Sequence, residues 1–534
     1  MVKILTGLVC LIAVGHAQIE RWVHPYDGPG NGDDWAYSTV YGADGNVYAA
    51  GFSESTATGR DFTVISLTSA DTERWVYRYN GPGNGADWAN SVVYGLDGNV
   101  YAAGVSAGSG TAQDFTVISL TADGEERWVY RVDGAAHARD EASSIVYGPD
   151  GNVYAAGVST GSGTSQDFTV ISLTADGGER WVHKYDGTLG ADWANSIVYG
   201  TDGNLYAAGY SADSLHNRPF AVVSLTAAGA ERWVYRYTAV GEAYSIVGDT
   251  DGNLYVAGAS TGSGTGQDFT VIGLTSTGGE RWAYRYNGPG DSSDLARSIA
   301  CGADGNLYAA GYSTTSGTDQ DFAVISLTPT GGGRWVYRYD GPGNGADWAN
   351  SIVCGLDGNV YAAGISTGSG TSQDFTVISL TSAGTERWVY RHDGTGNFYD
   401  VAEAVAYGAD GNVYAAGYTW NNGSLYDFTV ISLDPQVGIE KREGQPGNVR
   451  RRILDVPSIQ TRRLAFSLSL PAAAGVTVSL YATSGVQALS RRIAAPSGVS
   501  NWTLDVPVLS PGAYFIKVEA GMAGGETRKL ILAK

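Results

Sequence analysis

The side chains able to do chemistry fall into a repeated set and a unique set. The repeated set is acidic. Asp34, Asp87, Asp140, Asp192, Asp294, Asp347 and Asp400 each stand just before or at the start of a short apolar run, and Asp61, Asp114, Asp167, Asp268, Asp321, Asp374 and Asp427 each precede a phenylalanine. Carboxylates beside glycine-rich loops can accept backbone N–H bonds and hold those loops. Alternatively, the first series, with loop carbonyls, offers part of a Ca²⁺ shell, which takes about six to eight oxygens. The spacing is not that of an EF-hand. Both readings stand at this level, and no cofactor other than Ca²⁺ is expected.

The unique set consists of His137, Arg139 and Glu141, then His216 and Arg218, then Glu242 and Tyr244. These residues break an otherwise regular pattern, and an active or binding site needs such a non-repeated constellation. They are expected on loops at one end of the fold, in adjacent units, as the best location for a specific ligand. Drift in degenerate repeats is the competing reading. Trp35, Trp88, Trp193 and Trp348 adjoin the first aspartate series and are further ligand candidates, against core packing. The chain has no phosphate-binding GxxxxGK loop, no zinc-type Cys/His spacing, no HExxH and no nucleophile elbow. His24, His183 and His392 stand where equivalent strands have another aromatic, which predicts packing. No catalytic residue is assigned.

The elements that position these groups come from a repeat of about 53 residues. Arg-Trp recurs with Trp22, Trp75, Trp128, Trp181, Trp233, Trp282, Trp335 and Trp388, and Asp-Gly-Asn recurs eight times from Asp44 to Asp410. One unit, from Asp87, divides into strands over 89–94, 99–105, 115–120 and 127–132, rich in Val, Ile, Tyr and Trp. Asp97-Gly98 supplies a tight hairpin turn. Four antiparallel strands per unit and no helices predict the blade of a β-propeller. The N-terminal segment 21–26 is a fourth strand without its first three, while the last unit, 402–433, has three strands and no fourth. Joining them closes an all-β, eight-bladed β-propeller over residues 18–434, with long loops and paired aspartates on one end.

First hairpins such as DWANSIVYGTDGNLYAAG, from Asp192, resemble the SBBP-type β-propeller repeats of bacterial secreted proteins. The resemblance spans roughly residues 20–433. It implies a propeller and an extracytoplasmic location, with no defined activity.

The two ends of the chain carry location signals. Met-Val-Lys, an apolar run over 4–14 and Gly15-His16-Ala17 read as a signal peptide over 1–17, too short for a membrane span. Residues 435–534 carry 13 Lys+Arg against 6 Asp+Glu, whereas the remainder carries 20 against 48. The acidic body disfavours nucleic acid and anionic membrane. The charge shift places a boundary near 435, with an Arg450-Arg451-Arg452 linker over 435–454. Alternating strands over 464–470, 476–481, 502–506, 513–518 and 529–532 predict a small β-sandwich over 455–534. The stretches VTVSLYATSGV, LDVPVLSPGAYFIKVEAG and the terminal RKLILAK resemble the C-terminal sorting domain of type IX secretion. That resemblance implies the type IX secretion machinery as a partner and delivery to the outside or the outer-membrane surface of a Gram-negative cell.

Three functions follow as expectations. The first is a secreted or surface-bound non-catalytic binding protein that contacts a glycan, protein or matrix through its loop-rich end. The second is a polysaccharide hydrolase or lyase with its site in blades 3 to 5. The third is a structural envelope spacer.

Overall fold

The computed structural model describes residues 18–438, apart from short stretches at 111, 136, 162–165, 188–189, 214–216, 263–265, 316–318 and 371, together with strands between 454 and 532. The expected signal peptide and most of the expected linker lie outside the described residues. The chain divides into two compact units, 1–441 and 442–534.

The first unit is an eight-bladed β-propeller. Six blades are separate four-stranded antiparallel sheets, beginning at Trp35, Trp88, Glu141, Leu295, Trp348 and Val401. Blades 4 and 5 share one sheet, because the strand Glu231–Gly248 is the fourth of blade 4 and the first of blade 5. Blade 8 takes its fourth strand from the N-terminal segment Gln18–Tyr26, which pairs antiparallel with Leu425–Gly438 in the register Trp22↔Ser432 and Tyr26↔Phe428. Arg21 Nη1 donates to Ser432 Oγ at 2.8 Å, and Trp22 Nε1 reaches on to Ser69 O of blade 1 at 3.1 Å. The expected closure is therefore made on both sides of the seam.

The repeated motifs are the fastenings of this ring. In Asp-Gly-Asn-Val-Tyr, Asp44 accepts the Tyr48 hydroxyl at 2.6 Å and the Asn46 amide at 2.8 Å, which locks the first hairpin. Arg74 Nη1 then donates to Tyr48 Oη and to Ser66 Oγ. Trp75 crosses to the next blade, where Nε1 donates to Ala122 O at 2.9 Å and its ring lies flat on Gly124. A Cβ at Gly124 would come within 2.5 Å of that ring, and its φ of +85° suits glycine independently. Between blades, Tyr48, Phe62 and Val64 pack on Ala89, Val100, Ile118 and Leu120, all nearly inaccessible. Each such large apolar side chain stabilises the seam by ~1.5–3 kcal/mol.

Among its described residues the second unit has seven strands in two antiparallel sheets. One holds Leu454–Gln460, Arg463–Leu470 and Gly498–Asp505. The other has the order Gln487–Ala495, Ala474–Ala482, Gly512–Glu519, Gly525–Leu532. Two of these strands, Leu454–Gln460 and Gln487–Ala495, escape the sequence pattern. The first contains Pro457, and the second Arg491-Arg492, which interrupt the alternation. Blade 8 also runs on to Gly438, past the expected boundary at 434. Cys301 and Cys354 are both free thiols, and among the described residues no helix is long and apolar enough to cross a membrane.

Candidate functional site

The first strands of successive blades lie side by side and form the inner ring. Each carries a β-bulge at the same place, after Ala36, Ala89, Ala142, Ala194, Ala243, Ala296, Ala349 and Ala402. The extra residue has no ladder partner, so its side chain is re-aimed. Opposite the bulge the second strand comes so close that a Cβ at Gly104 would sit 2.0 Å from Trp88 O. The bulged residues are Tyr37, Asn90, Ser143, Asn195, Tyr244, Arg297, Asn350 and Glu403. They differ from blade to blade, while the alanine before them is constant.

Three of them help build a cavity of about 430 Å³, lined by Asn90, Glu141, Ser143, Trp193, Asn195, Tyr210, Arg218 and Glu242. Asn90 Nδ2 donates to Glu141 Oε1 at 2.9 Å and to Ala142 O at 2.8 Å. Arg139 pairs with the other carboxylate oxygen of Glu141. Two blades on, the pattern recurs. Asn195 Nδ2 donates to Glu242 Oε1 at 3.2 Å and to Ala243 O at 2.8 Å, with Arg218 Nη1 at 3.9 Å from Glu242 Oε2. Between the two carboxylates stands Trp193, its Nε1 donating to Ser143 Oγ at 2.9 Å. The Arg139 guanidinium lies 5.5 Å from the Trp193 ring centre, and that of Arg218 lies 4.7 Å from Tyr210. Burial pushes both glutamates above the usual carboxylate range, against the pull of the arginines and asparagines.

The structure thus gathers Glu141, Trp193, Arg218 and Glu242 in one cavity, with Arg139 bonded to it. Tyr244 sits beside Glu242, and burial raises its hydroxyl to about 12. One expectation is corrected. Glu141, Glu242 and Tyr244 are on strands, not loops, because Glu141 opens the strand Glu141–Tyr147 and the other two belong to Glu231–Gly248. Between blades 4 and 5 the glycine-rich connection is replaced by the short Thr238-Ala239-Val240, so the chain stays extended. His137 does not line the cavity. It occupies the left-handed position that Asn84 and Asn344 hold elsewhere and pairs with Asp133 at 2.5 Å, well exposed. His216 lies outside the described residues. Trp35, Trp88 and Trp348 occupy the position of Trp193 in blades 1, 2 and 7, and Arg297 lies over Trp348 at 5.5 Å.

The aspartates of the first series are fully buried. Six of them accept two backbone N–H bonds each at 2.6–2.9 Å, as Asp87 does from Gly81 and Ala107. Asp192 accepts one from Gly187 at 2.7 Å. Burial still pushes Asp34 and Asp400 up to about 7, and Asp87 and Asp347 to about 6. Three junctions bring carboxylates from both aspartate series together with one more: Asp27, Asp34 and Asp427; Asp114, Asp133 and Asp140; and Asp374, Asp393 and Asp400, within 4.8 Å in each group. Arg131 pairs with Asp114 and Arg391 approaches Asp374, whereas Pro25 takes that arginine's position at the first junction.

Sequence reasoning missed the bulged residues that complete the cavity, Asn90, Ser143 and Asn195, and also Tyr210. It missed Glu403 as well, which burial in the inner ring pushes up to about 7 while Arg297 pulls it down. The signal was one variable position inside an Ala-x-Ser that is constant in seven units and becomes Ala-x-Ala around Glu403.

No family model matches this chain, and no curated protein does. Solved structures similar to it include the WD40 domain of Neurospora crassa Pan2, at 8% identity and TM-score 0.38 over 66% of this chain and 90% of that one. A protein of unknown function from Dyadobacter fermentans is similar at 11% identity and TM-score 0.39, over 79% and 99%. A fungal alcohol oxidase of the AA5 family, in complex with copper, is similar at 11% identity and TM-score 0.39, over 97% and 100%. The chain is a β-propeller repeat protein on the evidence of its own blades.

Proposed function

We propose that the protein is a non-catalytic binding propeller, secreted or held at the cell surface, that takes a saccharide in the cavity between blades 2 and 5. The observation that carries this is the paired arrangement of Glu141 and Glu242, each fixed by an asparagine and an arginine, around the half-buried Trp193. A sugar ring presents hydroxyls to fixed carboxylates and amides, and a C–H face to an indole. The extracytoplasmic setting draws on the SBBP-type resemblance and the signal-like N-terminus. The sorting-domain resemblance adds export by type IX machinery.

A hydrolase or lyase reading is favoured by one observation, the burial that raises both glutamates, since glycosidic acid–base work uses carboxylates held partly protonated. A glycan array with the mature chain, followed by product analysis on every ligand bound, separates the two. Binding without turnover supports the proposal, product release moves it to the enzyme reading, and silence in both overturns both.

A further inference from the structure

Blade 8 departs from the repeat in a way that the cavity does not use. At four positions it carries an aromatic where blade 7 has a small or polar residue: Phe398 for Gly345, Tyr399 for Ala346, Trp420 for Thr367 and Tyr426 for Gln373. Blade 2 has Gly85, Ala86, Ala107 and Gln113 there, and it closes with the same buried aspartate and the same pair of backbone N–H bonds. The scaffold therefore does not need these rings.

They form one continuous surface at the loop-rich end. Phe398 and Trp420 have ring centres 4.3 Å apart, Trp420 and Tyr426 5.0 Å, Tyr426 and Tyr418 5.4 Å, and Tyr418 stacks on Trp35 of blade 1 at 4.4 Å and 16°. Phe398 is 47% exposed and Tyr399 51%, an unfavourable placement that a folding role does not explain. The indole N–H groups of Trp420 and Trp35 are shielded from solvent and have no hydrogen-bond partner.

We propose that this surface is a second binding site, for a neutral polysaccharide chain whose pyranose rings stack on Phe398, Tyr399 and Trp420. The occupant follows from the composition of the patch. Its exposed area is aromatic, with Leu425 at the hairpin tip as its aliphatic neighbour. The rim is polar, with Asn422 Nδ2 bonded to Thr395 O at 2.9 Å beside the rings. Asp33 lies close to Tyr426, with Arg60 3.9 Å from it, and residues 1–434 as a whole carry 20 Lys+Arg against 48 Asp+Glu, so the field of the propeller disfavours an anionic glycan or membrane. The site stands independently of the cavity at blades 2 to 5.

The test is retention of the full mature chain on cellulose, chitin and starch, and its retardation in native gels cast with xylan, mannan or mixed-linkage glucan. The control is the variant Phe398→Gly/Tyr399→Ala/Trp420→Thr/Tyr426→Gln, which installs the residues of blade 7 and so keeps a blade that is known to close. The expected result is binding to at least one of these neutral polymers, weakened about tenfold or more in the variant at unchanged melting temperature. The double variant Glu141→Gln/Glu242→Gln should retain that binding. The proposal is overturned if none of the polymers binds, if the blade 8 variant binds as tightly as the parent, or if only a proline-rich peptide or an anionic polymer binds. Loss in the cavity variant alone overturns it while leaving the cavity reading intact.

Discussion

Asn90 donates its side-chain amide to Glu141 at 2.9 Å across the seam between blades 2 and 3. Asn195 does the same to Glu242 across the seam between blades 4 and 5. Trp193 therefore stands between two carboxylates of matching orientation, each with one oxygen taken by an asparagine and the other facing an arginine. A ligand with several hydroxyls can bridge them.

Replacing either glutamate with glutamine keeps the shape and removes the charge. Hydrogen bonds to charged groups contribute ~1.5–3 kcal/mol, so Glu141→Gln or Glu242→Gln should weaken saccharide binding about tenfold or more. Titration calorimetry with the best array ligand checks this, and thermal melts should show no loss of stability. Unchanged affinity in both variants would sink the cavity assignment.

The inner ring should make stability depend on pH. Glu403 titrates at about 7 when folded, against roughly 4.3 for an unfolded glutamate. Between these values the folded state holds a proton that the unfolded state has released. The contribution is fully present below about pH 4 and is lost as pH rises through about 7. Melting temperature should fall between about pH 5 and 8, and Glu403→Gln should flatten the slope. Asp34 and Asp400 act with the same sign, so part of the slope should remain. An identical slope in the variant would show that Glu403 is ionised at neutral pH.

The buried aspartates should behave as loop anchors. Asp87→Ala leaves the N–H groups of Gly81 and Ala107 without their acceptor, at a cost of ~1–3 kcal/mol for each buried group. A lowered melting temperature is expected for Asp87→Ala, and none from chelators added to the parent chain. A chelator effect reversed by Ca²⁺ would instead favour the cation reading, with Asp427→Asn at the arginine-free junction as the variant to examine first.

Removing residues 18–26 strips blade 8 of its fourth strand and exposes the edge of Leu425–Gly438. Free edges pair with other chains. Size-exclusion chromatography should show species larger than those of the parent chain, and a synthetic 18–26 peptide should reverse them by strand addition. A monodisperse truncated chain would mean that closure needs no such strand.

Much of the ring was legible because its markers are short-range locks. Asp44 with Tyr48, or Trp75 on Gly124, require fixed residue types at fixed spacing, and eight copies of the first and six of the second make that spacing visible. Counting strands at the two ends then predicted the closure. The cavity was legible only in part. Glu141, Arg218 and Glu242 stood out as departures, but Asn90 and Asn195 looked like ordinary members of the repeat. A bulge adds one residue without disturbing the alternation on either side, so their sideways reach into the next blade left no periodic trace. The blade 8 surface was hidden differently. Its aromatics come from the loop at 398–399 and from the ends of two strands, at Trp420 and Tyr426, which the fold brings together.

Closure by the N-terminal strand also imposes a timetable. Trp22 emerges early, and its partner Ser432 is made about 400 residues later, so this strand waits through the assembly of every other blade. The surface around Trp420 combines the late-made blade 8 with Trp35, from the earliest complete blade, and the contact between them exists only once the circle is shut. A polymer that recognises that surface would select finished rings over open ones, making binding itself a check on completion.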